Sequence, residues 1–129
     1  MLEWITRGFF VLNAVLYGAI AIRTSLDPDG TAQSAGLSIG SAQARSEYLV
    51  SHSGLLVSLA AIFALFALTS ESQITGLKAA IAFYTPILVY RIVPALLAAN
   101  RFTLSPGAIG LEAATLLVAI GLLALTTAQ

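Results

Sequence analysis

Two stretches decide the fold: ITGLKAAIAFYTPILVYRIVPALLAA at residues 74–99 and PGAIGLEAATLLVAIGLLAL at residues 106–125. As helices rising ~1.5 Å per residue, both are long enough to cross a hydrocarbon core of ~30 Å. Each also carries an ionisable residue well inside it, Arg91 in the first and Glu112 in the second. A charge at such depth is costly and usually faces a partner, a cavity or a ligand. Two further apolar runs cover about 4–23 and 45–69. The expected fold is all-α: a four-transmembrane-helix bundle with one long loop between helices 1 and 2, forming a single integral membrane domain over 1–129.

Composition points the same way. Only 9% of the residues are charged and 58% are hydrophobic, whereas soluble domains carry roughly 25% charged residues. Lipid must be the solvent for much of this surface. With no cysteine, disulfides, thiolate metal sites and cysteine nucleophiles are excluded. The net charge is zero and no basic run occurs, so nucleic acid has no electrostatic footprint here. A single histidine and scattered carboxylates make no metal-ligand spacing; neither a metal nor a cofactor is expected. Gly36-Leu37-Ser38-Ile39-Gly40 spells G-x-S-x-G, but it lies in a loop with no flanking strand and so makes no nucleophile elbow, and no Gly-rich phosphate loop is present.

The first apolar run has some features of a secretory signal peptide: Arg7, an apolar stretch from Gly8 to Gly18, then Ala19-Ile20-Ala21. Glu3 ahead of the arginine and Asn13 within the run favour an uncleaved membrane helix instead. The segment from Thr24 to Ala44 is the one long connection. Asp27-Pro28-Asp29-Gly30 gives it a strong turn signal. Ser41 is placed to cap the helix that follows, and Ser105-Pro106 reads as an N-cap with proline at the first helical position. Pro86 and Pro94 are expected to bend the third span. Lys and Arg divide too evenly between the two sides to fix orientation; the two aspartates of the long loop favour a cytoplasmic N-terminus.

Topology gathers the polar residues at one end. Counted from the turn between spans three and four, Arg91 and Glu112 lie ~13 Å and ~10 Å deep. An ion pair between them is the simplest way to keep both charged. Span two enters from the same side with Arg45, Glu47, Tyr48 and His52 in its first turns. Arg45, Tyr48 and His52 fall on one helical face. Tyr84 shares a face of span three with Arg91. The candidate ligand-binding residues are therefore Arg45, Glu47, Tyr48, His52, Tyr84, Arg91 and Glu112, around a cavity beneath the long loop. On the plainer reading, Arg91 and Glu112 only fix helix register, Arg45 and Glu47 sit among headgroups, and His52 bonds a backbone carbonyl. Gly107, Gly110, Ala114 and Gly121 would let another helix approach span four closely.

These residues resemble a bacterial family of small four-helix membrane proteins, the domain of unknown function 4345. The likeness covers nearly the whole chain. It is carried by Arg45-Ser46-Glu47-Tyr48, Tyr90-Arg91, the Ser105-Pro106 entry and Glu112. His52-Ser53-Gly54-Leu55 stands where the family tends to have a glycine pair, and the second glycine is lacking here. The resemblance implies a fold, a set of polar positions and a bacterial inner (cell) membrane location, but no activity.

Three functions fit. The first is a non-enzymatic bundle binding a lipid-like or small amphipathic molecule, with membrane lipids as its surroundings. The second is an accessory subunit whose partners are other membrane subunits or a second copy in a homodimer. The third is an isomerase-type enzyme using Glu112 or Glu47 as acid and base, by analogy with sterol-isomerase-like bundles.

Overall fold

Hydrocarbon offers no partner to a backbone N–H or C=O, so a spanning segment must satisfy both within itself. The computed structural model, which describes residues 1–69, 72–97 and 106–128, is helical through every apolar run, and no strand occurs among the described residues. In chain order the helices are α1 (Leu2–Leu26), α2 (Pro28–Ser34), α3 (Ala42–Leu49), α4 (Leu55–Leu68), α5 (Gln73–Leu97) and α6 (Pro106–Thr127). A π-helical turn, Val50–Gly54, joins α3 to α4, giving a 27-residue rod from Ala42 to Leu68. This rod and α1, α5 and α6 are each long and apolar enough to cross a membrane, as a multi-pass membrane protein requires. Leu12 and Leu117 are each 68% exposed, which suits lipid and not water.

The chain divides into two compact units, one of Glu3–Ser70 and one of Glu71–Gln129 with Met1–Leu2. In the first, α1 buries the stripe Thr6, Phe9, Phe10, Asn13, Ala21 and Thr24, at the three- and four-residue spacing of one helical face. An aromatic seam joins α1 to α4. Phe10 lies 6.3 Å from Phe63 and 5.7 Å from Phe66, and Tyr17 stacks on Phe63 at 5.8 Å. A methyl added at Gly18 would lie 3.9 Å from the Ala60 methyl, so α1 and α4 stay close just beyond Tyr17. In the second unit α5 packs on α6. It buries Leu77, Ala80 and Tyr84 along one stripe, and it runs on past Pro86 and Pro94.

Polar side chains inside these helices are mostly satisfied locally. Asn13 donates to the Phe9 carbonyl at 2.8 Å, and Ser25, Ser58, Thr85 and Thr115 each donate to the carbonyl four residues earlier. Such back-bonding lets a hydroxyl sit in an apolar helix without a tertiary partner.

The connection after α1 departs from the loop expected there: it contains the two-turn helix α2. Asp27 accepts from the Gly30 N–H at 2.9 Å, and Pro28 occupies the first helical position. At the far end Gly36 has φ +75. Its N–H donates to the Gln33 carbonyl and that of Leu37 to the Ala32 carbonyl, both at 2.9 Å. This is a Schellman closure, for which the left-handed residue is best a glycine. Both ends are thus capped, and the signal read as a turn is a helix start. Ser41 caps α3 as expected, accepting from the Ala44 N–H at 3.1 Å. Pro106 opens α6; Ser105 and the turn at 100–103 lie outside the described residues.

A seven-residue helix is marginal alone, so α2 should depend on its caps. Asp27→Ala should cost it about 0.5–2 kcal/mol. Gly30→Ala should also weaken it, because a methyl there would collide with the Asp27 carboxylate. Hydrogen exchange should quicken across residues 29–36 in both variants and stay unchanged in α1. Uniform exchange changes, or none, would contradict this assignment.

Candidate functional site

The site in the first unit is built where α1 ends and the α3–α4 rod begins, with α2 between them in sequence. Asp29, in the first turn of α2, pairs with Arg45 of α3 at 2.6 Å. Both side chains are 52% exposed, so the pair orients α2 on α3 more than it stabilises the fold; exposed pairs contribute about 0–1 kcal/mol. One turn further along α3, Tyr48 and His52 stack with ring centroids 4.1 Å apart and planes 16° apart. The four-residue separation places them one above the other on the helix. The wide π turn starts just beyond Tyr48 and contains His52; such turns often occur at functional sites.

Ser51 fixes the imidazole from the other side. Its Oγ is 2.8 Å from His52 Nδ1 and also 2.8 Å from the Glu47 carbonyl oxygen. A hydroxyl has one proton. Donated to Glu47, it leaves Ser51 to accept from Nδ1–H. His52 therefore bonds a hydroxyl, where a backbone carbonyl was one expectation.

Tyr48 and His52 form part of the lining of a cavity of about 220 Å³. Arg23 and Thr24 from the last turn of α1, and Thr31 and Ser34 from α2, supply the rest of the polar lining. Ile20 and Leu56 supply the apolar part. Thr31 donates to the Asp27 and Pro28 carbonyls and Ser34 to the Thr31 carbonyl. Their hydroxyl protons are thus spent on α2 itself. Arg23, the one Lys, Arg, Asp or Glu in the lining among the described residues, is left as the strongest donor.

The other expected residues are distributed as follows. Arg45 pairs with Asp29 and does not line the cavity. Glu47 is exposed, lies outside the lining and makes no ion pair among the described residues. Tyr84 is buried in α5, edge-on to Phe83 with centroids 5.2 Å apart. Arg91 and Glu112 belong to the second unit, where Arg91 Nε donates to Glu112 Oε2 at 2.6 Å. The pair sits equally far from the adjoining ends of α5 and α6, as the matched depths implied. Glu112 is the less accessible partner, its side chain 15% exposed against 43% for Arg91. Of the polar lining, sequence reading missed Arg23, Thr24, Thr31 and Ser34. The Asp-Pro helix start was the available signal for the last two. Arg23 had none beyond its place at the end of a span.

No family model, curated protein or solved structure matches this chain. The resemblance to the four-helix family therefore rests on the quoted motifs alone. Four long apolar helices identify a multi-pass integral membrane protein and no family.

The Arg91–Glu112 bond is short, charge-assisted and remote in sequence, so it should couple the two helices. In detergent, Arg91→Met and Glu112→Gln should each destabilise the protein more than the double variant does. The coupling energy should be about 1–3 kcal/mol. Thermal unfolding measured over the full cycle checks this, and additive losses would contradict it.

Proposed function

We propose that the unit Glu3–Ser70 binds a lipid-like or other small amphipathic molecule, its polar head in the cavity beside Arg23, Tyr48 and His52. The observation that carries this reading is the mixed lining: Arg23, Thr24, Tyr48 and His52 together with Ile20 and Leu56. A few polar groups converging in an otherwise apolar setting is the usual form of a small-molecule site. Size narrows the reading further. Drug-sized ligands occupy roughly 300–1,000 Å³, so about 220 Å³ suits a headgroup without its chains. The tail would then run along exposed apolar residues nearby in sequence, Ile22, Leu55 and Val57.

Binding is favoured over isomerisation because Glu47, the acid–base candidate within this unit, does not line the cavity. A bacterial cell membrane as the location is supported by the motif resemblance.

A second reading, an accessory subunit or homodimer, has its own support in α6. No neighbouring atom among the described residues lies within 4 Å of where side chains would begin at Gly107, Gly110 and Gly121. Close packing on those described residues thus does not explain these glycines, and a helix of another chain could use them.

Native mass spectrometry of gently extracted protein tests the first reading. The wild type should retain one amphipathic molecule after detergent exchange. Ser34→Trp, which places a bulky ring in the lining, should lower retention about tenfold, equivalent to ~1.4 kcal/mol. Equal retention in the two proteins would place the bound molecule elsewhere.

A further inference from the structure

Arg23 stands apart from the other described arginines. Arg7 pairs with Glu3 at 2.9 Å, Arg45 with Asp29 at 2.6 Å and Arg91 with Glu112 at 2.6 Å. Arg23 lines the cavity and has no carboxylate partner among the described residues. No Asp or Glu contributes to the lining among the described residues, so its cationic charge has no carboxylate facing it there. The nearest acidic candidates are already engaged: Asp29 with Arg45, and Asp27 with the Gly30 N–H.

We infer that the cavity selects an anionic phospholipid, with the lipid phosphate as the missing counterion of Arg23. This rests on the amphiphile reading above and names its ligand class. A guanidinium presents a planar fork of donors that matches phosphate oxygens two at a time. Tyr48, on the opposite part of the lining in sequence, contributes a phenolic hydroxyl able to donate to a third oxygen. The hydroxyls of Thr31 and Ser34 already donate to α2 carbonyls, so they cannot supply the charge-compensating bonds.

The occupant must be a lipid and not a free phosphate because the lining is only partly polar. Arg23, Ser34 and His52 are exposed, so the cavity is open to its surroundings; Ile20 and Leu56 add apolar surface to the lining, which a free phosphate would leave uncovered. An acylated headgroup places glycerol and the first methylenes there instead. Arg23 also lies in the last turn of α1, where the helix's partial negative charge favours a cation. That effect steadies the arginine but leaves its donors available.

The test uses full-length protein in detergent, loaded with defined probes and read by native mass spectrometry. The probes are dioleoyl phosphatidylglycerol, dioleoylglycerol without phosphate, and soluble glycerol 3-phosphate. Wild type should prefer the phosphatidylglycerol over dioleoylglycerol by about tenfold, the size of one charge-assisted contact. Arg23→Gln should bring that ratio close to one, while Arg23→Lys, which keeps the charge, should retain much of the preference. Unchanged helicity in both variants confirms that folding is not the cause. Glycerol 3-phosphate should not displace the lipid; displacement at equal concentration would overturn the assignment to a lipid. A preference unaltered by Arg23→Gln would overturn it too. Equal retention of both lipids, each lost in Ser34→Trp, would overturn the anionic selectivity and leave the amphiphile reading standing. Retention of both lipids in Ser34→Trp would overturn the two together.

Discussion

A charge in hydrocarbon must find its counterion within reach, because lipid tails supply none. That constraint governs where the charged side chains of this chain are placed. Apolar packing against lipid differs little from packing against protein, so burial alone does not specify which helix faces meet. Between α5 and α6 a charged pair does so, and between α1 and α4 the ring contacts of Phe10 and Tyr17 with Phe63 and Phe66 do. Glu3 and Arg7 neutralise each other along one helix, one turn apart. Arg91 and Glu112 do so between α5 and α6, and Asp29 and Arg45 tie α2 to α3. The hydroxyls of Ser25, Ser58, Thr85 and Thr115 follow the same logic at lower cost, each using a carbonyl of its own helix.

Local chemistry then shapes the cavity. Asp27 and Pro28 start α2 and Gly36 ends it, so Thr31 and Ser34 are carried on a defined helix and not on a floating loop. The π turn at Val50–Gly54 starts two residues after Tyr48 and holds His52. The stack of the two rings, with Ser51 against the imidazole, gives the cavity one polar wall. Arg23 enters from α1 as the one cation of the lining, which links the constraint on charge to the proposed choice of ligand.

Much of this was legible in the residues. The apolar runs gave the long helices because helix is the form hydrocarbon permits to an isolated span. The Arg91–Glu112 pair was legible because helical rise converts sequence distance from a turn into depth. Ser41 was legible as a cap because it precedes the first helical turn of its rod. Three features were not read. Asp27-Pro28 carries the same cap-then-proline pattern as Ser105-Pro106, but Asp29-Gly30 after it weighed towards a turn. The π turn has no periodicity signal, since five residues are too few to distinguish wide from ordinary winding. Arg23 looked like the flank of a span, because its importance depends on which carboxylates are already engaged, and pairings such as Asp29 with Arg45 appear only in three dimensions.

The most direct test is a solid-state NMR measurement on the protein in bilayers containing phosphatidylglycerol, with 13C-labelled arginine guanidinium carbons. Dipolar dephasing by lipid 31P reports which guanidinium has a phosphate at hydrogen-bonding distance, and a spectrum of Arg23→Gln assigns the signal. Strong dephasing at Arg23, with weak dephasing at Arg45 and Arg91, is the expected result. Dephasing at Arg45 or Arg91 with none at Arg23 would contradict it, since the carboxylate-paired arginines would then be the lipid contacts.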